Sequence, residues 1–246
     1  MTEILLINPN TTRTITALVL RTARRFANRG TKLRAASGAF GPRYIASRVG
    51  YAIAGHAAVD ALAADRGAKD AVVLACFGDP GLAALKEIAD VPVVGMAEAS
   101  ILQACALGRR FSIVTGGERW GPMLEEFVAS QGLAGRLASV RTVAPTGGDI
   151  ARNPKAALTL LAQGCTACVA EDGAEVVILG GAGLAGLADR LRSAVPVPLL
   201  DGVACAVSMA EGLARQKPAK ATRGSLAVPA PVDSVRLSPG LRKRIG

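Results

Sequence analysis

The chain has 246 residues, half of them hydrophobic, which is enough apolar material for one large or two small domains and excludes disorder over most of its length. Aromatic residues make up 3 %, and no helix-turn-helix, RNP or zinc-finger pattern accompanies the net charge of +10, so the sequence argues against a nucleic-acid partner. That charge is uneven: the stretch from Gln216 onward carries seven basic residues against Asp233 alone, a net +6, leaving +4 on the first 215 residues.

In chain order, the first predicted element is a strand over Ile4–Ile7, closed by "INPNTT" (7–12) and followed by a helix near 13–29. A strand over Lys32–Ala36 leads through "GPRYIAS" (41–47) to a helix near 51–66. Next come a strand over Ala71–Ala75, a helix near 81–89, a strand over Val91–Val94 and a helix near 97–107. Phe111–Thr115 and Ser139–Val143 are predicted strands flanking a helix near 119–131. A helix near 154–171, a strand over Glu175–Leu179, a helix near 184–193, a strand over Val197–Leu200 and a helix near 203–215 complete the pattern. Continuous apolar runs such as "AVVLA" and "EVVIL" suit strands buried on both faces of a parallel sheet, and their alternation with helices predicts βαβ units. The basic run "RTARRFANRGTKLR" reads as a solvated helix face. The short apolar N-terminus lacks the core of a signal peptide, no run is long enough for a membrane span, and five cysteines show no disulfide framework. A cytoplasmic protein with no membrane partner is the expectation.

The second half repeats the first. "VVLACFGDPGLAALKE" (72–87) and "VVILGGAGLAGLA" (176–188) both run an apolar strand into a Gly-Leu turn and a helical pattern. "DVPVVGMAEAS" (90–100) and "AVPVPLLDGVACAV" (194–207) follow them in the same order. The predicted fold class is therefore α/β, with two Rossmann-like domains whose parallel sheets face one another across a cleft at the strand ends. Residues 1–96 form the first domain, completed by a helix at 204–215, and 97–203 form the second. Residues 216–246 read as a basic, irregular tail.

Candidate site residues cluster at those strand ends. Cys76 closes a buried strand ahead of a turn and helix start, where backbone N–H groups would favour a thiolate; the competing reading is a structural cysteine. Asn8 and Asn10 offer amide groups, while Thr11 and Thr12 can cap the first helix. Thr115 and Gly116 stand at the corresponding place in the second half. Backbone amides of Phe77, Gly78, Gly181 and Ala182 are predicted to bind a developing oxyanion or a carboxylate. His56, on a helix, reads as structural; "CTAC" (165–168) is a poor metal or redox site; Gly147–Gly148 reads as a loop. No metal or cofactor is predicted.

"INPNTT", "ACFGDPGL", "PVVGMAEA", "VTGG", "DGAEVVILGGAG" and "DGV", in this order and spacing, resemble the hydantoin racemases of the aspartate/glutamate racemase superfamily from Ile7 to about Ala206. The resemblance implies two pseudosymmetric α/β domains, no cofactor, and two cysteines on opposite faces of a substrate, one removing a proton and one returning it. The family pattern has "ACFGDPG" for the first cysteine and "LGCAG" for the second. This chain matches the first at Cys76 but reads "LGGAG", placing Gly181 where the second would stand. Ala46 likewise stands where an acidic residue is common in the family. Arylmalonate decarboxylases of the same superfamily are similar in keeping one cysteine opposite a glycine.

The expected function is a cofactor-independent racemase or isomerase acting at the acidic carbon of a small carbonyl compound, anionic or hydantoin-like, with Cys76 as acid/base. A one-cysteine decarboxylase or other lyase is the alternative, and a non-catalytic small-anion binder a third reading. A homo-oligomer is expected.

Overall fold

The computed structural model describes residues 1–143 and 154–245, with side chains from 157 onward in the second segment; the Gly147–Gly148 loop therefore lies outside the described residues. Two four-stranded sheets, every pairing parallel, form the frame. The first has the order β2-β1-β3-β4, from β1 (Glu3–Asn8), β2 (Lys32–Ser37), β3 (Ala71–Leu74) and β4 (Val93–Gly95). The second has the order β6-β5-β7-β8, from β5 (Phe111–Thr115), β6 (Leu137–Thr142), β7 (Val176–Leu179) and β8 (Leu199–Asp201). Every predicted strand is present, with no end moved by more than two residues and Phe111–Thr115 as predicted.

Strand alternation divides the core into three parts. Ile4, Leu6 and Val73 of the first sheet and Phe111, Ile113 and Ile178 of the second point into one shared core. Helices α4 (Met96–Leu107) and α8 (Gly202–Gln216) run through that core, and α8 also packs against α1 (Arg13–Phe26) and β3. The outward residues Leu5, Ile7, Val72 and Leu74 pack under α2 (Arg48–Ala64) and α3 (Leu82–Ile88). Val114, Val177 and Leu179 do the same beneath α6 (Pro154–Ala170) and the short α7 (Ala188–Leu191). Helix α5 (Trp120–Ser130) covers β6. A buried carboxylate ties α8 to the first half: Glu211 accepts from the Asn28 backbone N–H and the Thr31 hydroxyl.

Three expectations need correction. The tail ends in a helix, α9 (Pro239–Ile245), which docks Leu241 against α2 and anchors Arg244 to Asp90. Its start is favoured by Ser238, whose hydroxyl accepts from the Leu241 N–H, and by proline at the first helical position. The helix expected near 184–193 is broken into a turn at Ala182–Leu184 and α7, because Gly186 adopts a positive φ of 83° between them. Thr12 is the N-cap residue of α1, but its hydroxyl makes no cap bond; it donates to the Arg43 carbonyl instead and pins the 41–47 loop.

Candidate active site

In each sheet the strand order reverses between the first and third strands in sequence, β1/β3 and β5/β7, and loops diverge there to leave a crevice at the carboxyl ends. The two crevices face one another. Between them lies a pocket lined by Asn10 and Cys76 from the first sheet, and by Thr115, Gly116 and Gly180–Leu184 from the second, among others. Its solvent-accessible space is about 50 Å³.

The Asn8–Asn10 pair is built by the end of β1. The Asn10 Oδ1 accepts from Asn8 Nδ2 (2.9 Å) and from the Thr12 backbone N–H (2.9 Å), which fixes the amide's orientation. Among the described residues the Asn10 Nδ2 has no partner, so its two N–H donors are available to the pocket. Asn8 is 1 % exposed and also donates to Thr16 Oγ1; it does not line the pocket, and its role in the geometry is to hold Asn10. Thr115, at the end of β5, presents a hydroxyl to the pocket from the opposite side.

Cys76 follows β3 and is 8 % exposed, with its neighbour Phe77 also in the lining. The expectation of a favoured thiolate is not met: burial pushes the Cys76 thiol well up, and the nearby Asp79 charge pushes it further. Burial and the Asp79 charge therefore both favour the neutral thiol over the thiolate.

Gly181 stands opposite, with φ 144° and ψ 135°, a backbone conformation open to glycine and strained for any other residue. A Cβ there would have ordinary contacts, 3.5 Å to Leu184 and 3.7 Å to the Thr115 hydroxyl, so space is present and conformation is the constraint. The Ala182 and Gly183 amides open a tight turn and lack partners within it.

Residues without a strand-end signal complete the walls. Tyr44 and Ile45 come from the 41–47 loop, Ile15 from α1 and Trp120 from α5. Trp120 Nε1 donates to the Ile45 carbonyl at 3.0 Å and Tyr44 donates to the Gly116 carbonyl at 3.4 Å, so the loop is tied to the second sheet. Gly78, predicted to touch substrate, faces the Trp120 ring instead, and its carbonyl accepts from the Tyr51 hydroxyl. Ala46 does not line the pocket; it borders a separate depression with Glu118 and Arg119 on the other side of Trp120. His56 is exposed and packs edge-on to Phe40, and Cys165 and Cys168 are buried in the second outer core. No group of metal-ligating side chains occurs among the described residues.

Comparison with known proteins adds sequence and fold relatives. A family described as Asp/Glu/Hydantoin racemase matches residues 4–210. Hydantoin racemase of Pseudomonas sp. (strain NS671) is 39 % identical over 210 residues, 85 % of this chain and 84 % of that one. Hydantoin racemase of Paenarthrobacter aurescens is 40 % identical over 215 residues, 86 % and 90 % of the two chains. In structure, allantoin racemase from Pseudomonas fluorescens superposes with a TM-score of 0.92 at 33 % identity, covering 95 % of this chain and all of that one. Arylmalonate decarboxylase, at 16 % identity and a TM-score of 0.63 over 86 % of this chain and 92 % of that one, shares the fold.

Proposed function

The chain belongs to the Asp/Glu/hydantoin racemase family and is an enzyme of the isomerase (racemase) type, and from that membership we propose a cofactor-independent reaction at the acidic carbon of a small carbonyl compound. A hydantoin-like or amino-acid-like substrate sits between Cys76 and the Gly181–Leu184 segment. Cys76 exchanges a proton with the carbon on one face. Asn10 Nδ2, the Thr115 hydroxyl and the Ala182 and Gly183 amides donate hydrogen bonds to the carbonyl oxygen as negative charge develops on it. Water in the space beside Gly181 delivers or removes the proton on the other face. The observation that carries this reading is the facing of Cys76 and Gly181 across one pocket with amide and hydroxyl donors at its rim. Five free cysteines support a reducing, cytoplasmic setting, and the reading includes a homo-oligomer.

A second reading, a one-cysteine decarboxylase, is favoured by the burial and the nearby Asp79 charge that push the Cys76 thiol toward its protonated form. There the carbanion arises by loss of carbon dioxide, so Cys76 needs only to donate its proton, and the solvent restores it. Incubation of enantiopure 5-substituted hydantoins, allantoin, amino acids and arylmalonates in heavy water, followed by NMR and chiral chromatography, separates the two. Exchange with inversion that is lost in Cys76→Ala supports the racemase. Decarboxylation to one labelled enantiomer supports the lyase. Binding without exchange or turnover in any of them would sink both and leave a small-anion binder.

A further inference from the structure

Asp79 stands three residues beyond Cys76 in a left-handed conformation, φ 53°, which is uncommon outside glycine. Its backbone N–H donates to the Cys76 carbonyl (3.0 Å), closing a turn around the thiol, and its own carbonyl accepts from Leu82. The carboxylate, 2 % exposed, reaches across to the start of α4 and accepts from the Ala97 (3.0 Å) and Glu98 (2.7 Å) backbone N–H groups. Gly95 makes this possible: a Cβ at that position would fall on the Asp79 carboxylate. The second half solves the same problem differently. Its sheet register pairs Leu179 with Asp201 as the first pairs Leu74 with Gly95, and Leu184 occupies the place of Asp79. There Asp201 caps α8 through the Val203 and Ala204 N–H groups and binds the Gly186 N–H. Both helices receive a carboxylate cap, but the first half takes it from the turn that carries the cysteine.

A cap could have come from position 95, so capping alone does not explain where this carboxylate resides. We propose that Asp79 is a positioning residue for Cys76, locking the Cys76–Gly81 turn to the start of α4 and standing its charge behind the thiol. This rests on Cys76 being the acid/base. The groups facing Asp79 are Cys76 itself, Tyr51 of α2, Lys86 of α3 and Glu98 of α4, the last two forming an ion pair. Burial pushes the Asp79 carboxyl up to about 7 against the pull of the Glu98 and Ala97 amides, while Glu98 adds repulsion and Lys86 attraction. Asp79 in turn adds to burial in holding both the Cys76 thiol and the Tyr51 phenol in their protonated forms.

The test is the pH dependence of Cys76 alkylation by iodoacetamide in the full chain carrying Asp79→Asn, read by mass spectrometry on the Cys76 peptide. Removing the charge lowers the midpoint by about one pH unit and speeds alkylation at pH 8 about tenfold. Turnover falls mainly through kcat, because the displaced group is the proton-transferring thiol while the donors on the opposite wall, Thr115 and the Gly181–Leu184 segment, stay in place. The variant Asp79→Gly, which suits the φ of 53° and also removes the charge, serves if Asp79→Asn does not fold; its midpoint falls likewise. A folded variant whose Cys76 midpoint matches that of the wild type overturns the proposal. Full activity in Cys76→Ala would instead sink the acid/base reading, and the alkylation profile would still judge the link between Asp79 and the thiol.

Discussion

Cys76 and Gly181 hold equivalent places in the two halves, each two residues past a leucine that closes the register with the neighbouring strand, Leu74 with Ile7 and Leu179 with Val114. The equivalence is one of position, and the backbone differs: Gly181 has φ 144°. A single Gly181→Cys change therefore does not simply restore a second thiol. It forces a strained backbone or a rotated peptide, and a loss of about 1–3 kcal/mol is expected. Gly181→Ala should lose a similar amount, since the Cβ common to both has only ordinary contacts and the backbone is the constraint. Chemical denaturation measures it; wild-type stability in both variants would mean that the turn relaxes freely.

The buried thiol sets a second expectation. With its protonation favoured by burial and by Asp79, Cys76 should alkylate slowly between pH 6 and 8 and faster with each step upward, with no plateau at neutral pH. Cys76→Ala should reduce turnover at least about a hundredfold. A plateau in alkylation below pH 7 would show that the pocket supplies a positive field that the geometry lacks.

The sequence made the frame legible because parallel strands buried on both faces are written as unbroken apolar runs, and "AVVL", "FSIVT" and "VVIL" are fully buried. Strand-end residues of the site, Asn10, Cys76, Thr115 and Gly181, were visible for the same reason. Tyr44 and Ile45 were not, since a crossover loop has no periodicity to betray which side chains turn inward. Asp79 was hidden by its surroundings: in "FGDPG" an aspartate is ordinary turn chemistry, and its reach to α4 is set by tertiary packing. The Ser238–Pro239 start of α9 is a helix signal that the charge and proline content of the tail outweighed.

Trp120 joins the two halves at the pocket wall. Trp120→Phe keeps most of the ring but leaves the buried Ile45 carbonyl without its donor, at a cost of about 1–3 kcal/mol. Because Ile45 belongs to the pocket lining, KM should rise more than kcat falls. Gly78→Ala should be worse, as its Cβ would lie 2.5 Å from Trp120 Cζ3 at a φ of 112°. Steady-state kinetics with the substrate identified by exchange would decide; unchanged KM in Trp120→Phe would mean that the Thr12–Arg43 and Tyr44–Gly116 bonds suffice to hold the loop.

The tail contributes to the first half from outside. Leu241 is 5 % exposed against α2, and Arg244 reaches Asp90 beyond α3. Leu241→Ala should lower stability by about 2–3 kcal/mol while leaving kcat unchanged at low temperature, because none of these contacts touches the pocket. Arg244→Ala, an exposed pair, should have a far smaller effect. Thermal melts of the two variants side by side measure the ratio, and equal effects would argue against docking of the apolar face.

Asp79 also predicts how stability varies with pH. Its carboxyl rises from the unfolded value of 3.8 to about 7 in the folded chain. Between those values the folded state binds more protons than the unfolded one, so this group's contribution is fully present below about pH 4 and is lost as pH rises through about 7. Above that the contribution is flat. Asp79→Asn removes the titration, so the stability difference between wild type and variant should shift in favour of the variant from pH 4 to 7 and then hold constant. Urea denaturation at half-unit intervals gives the two curves. Parallel curves across this window would mean that the α4 amides hold Asp79 ionised throughout, and that the charge behind Cys76 is permanent.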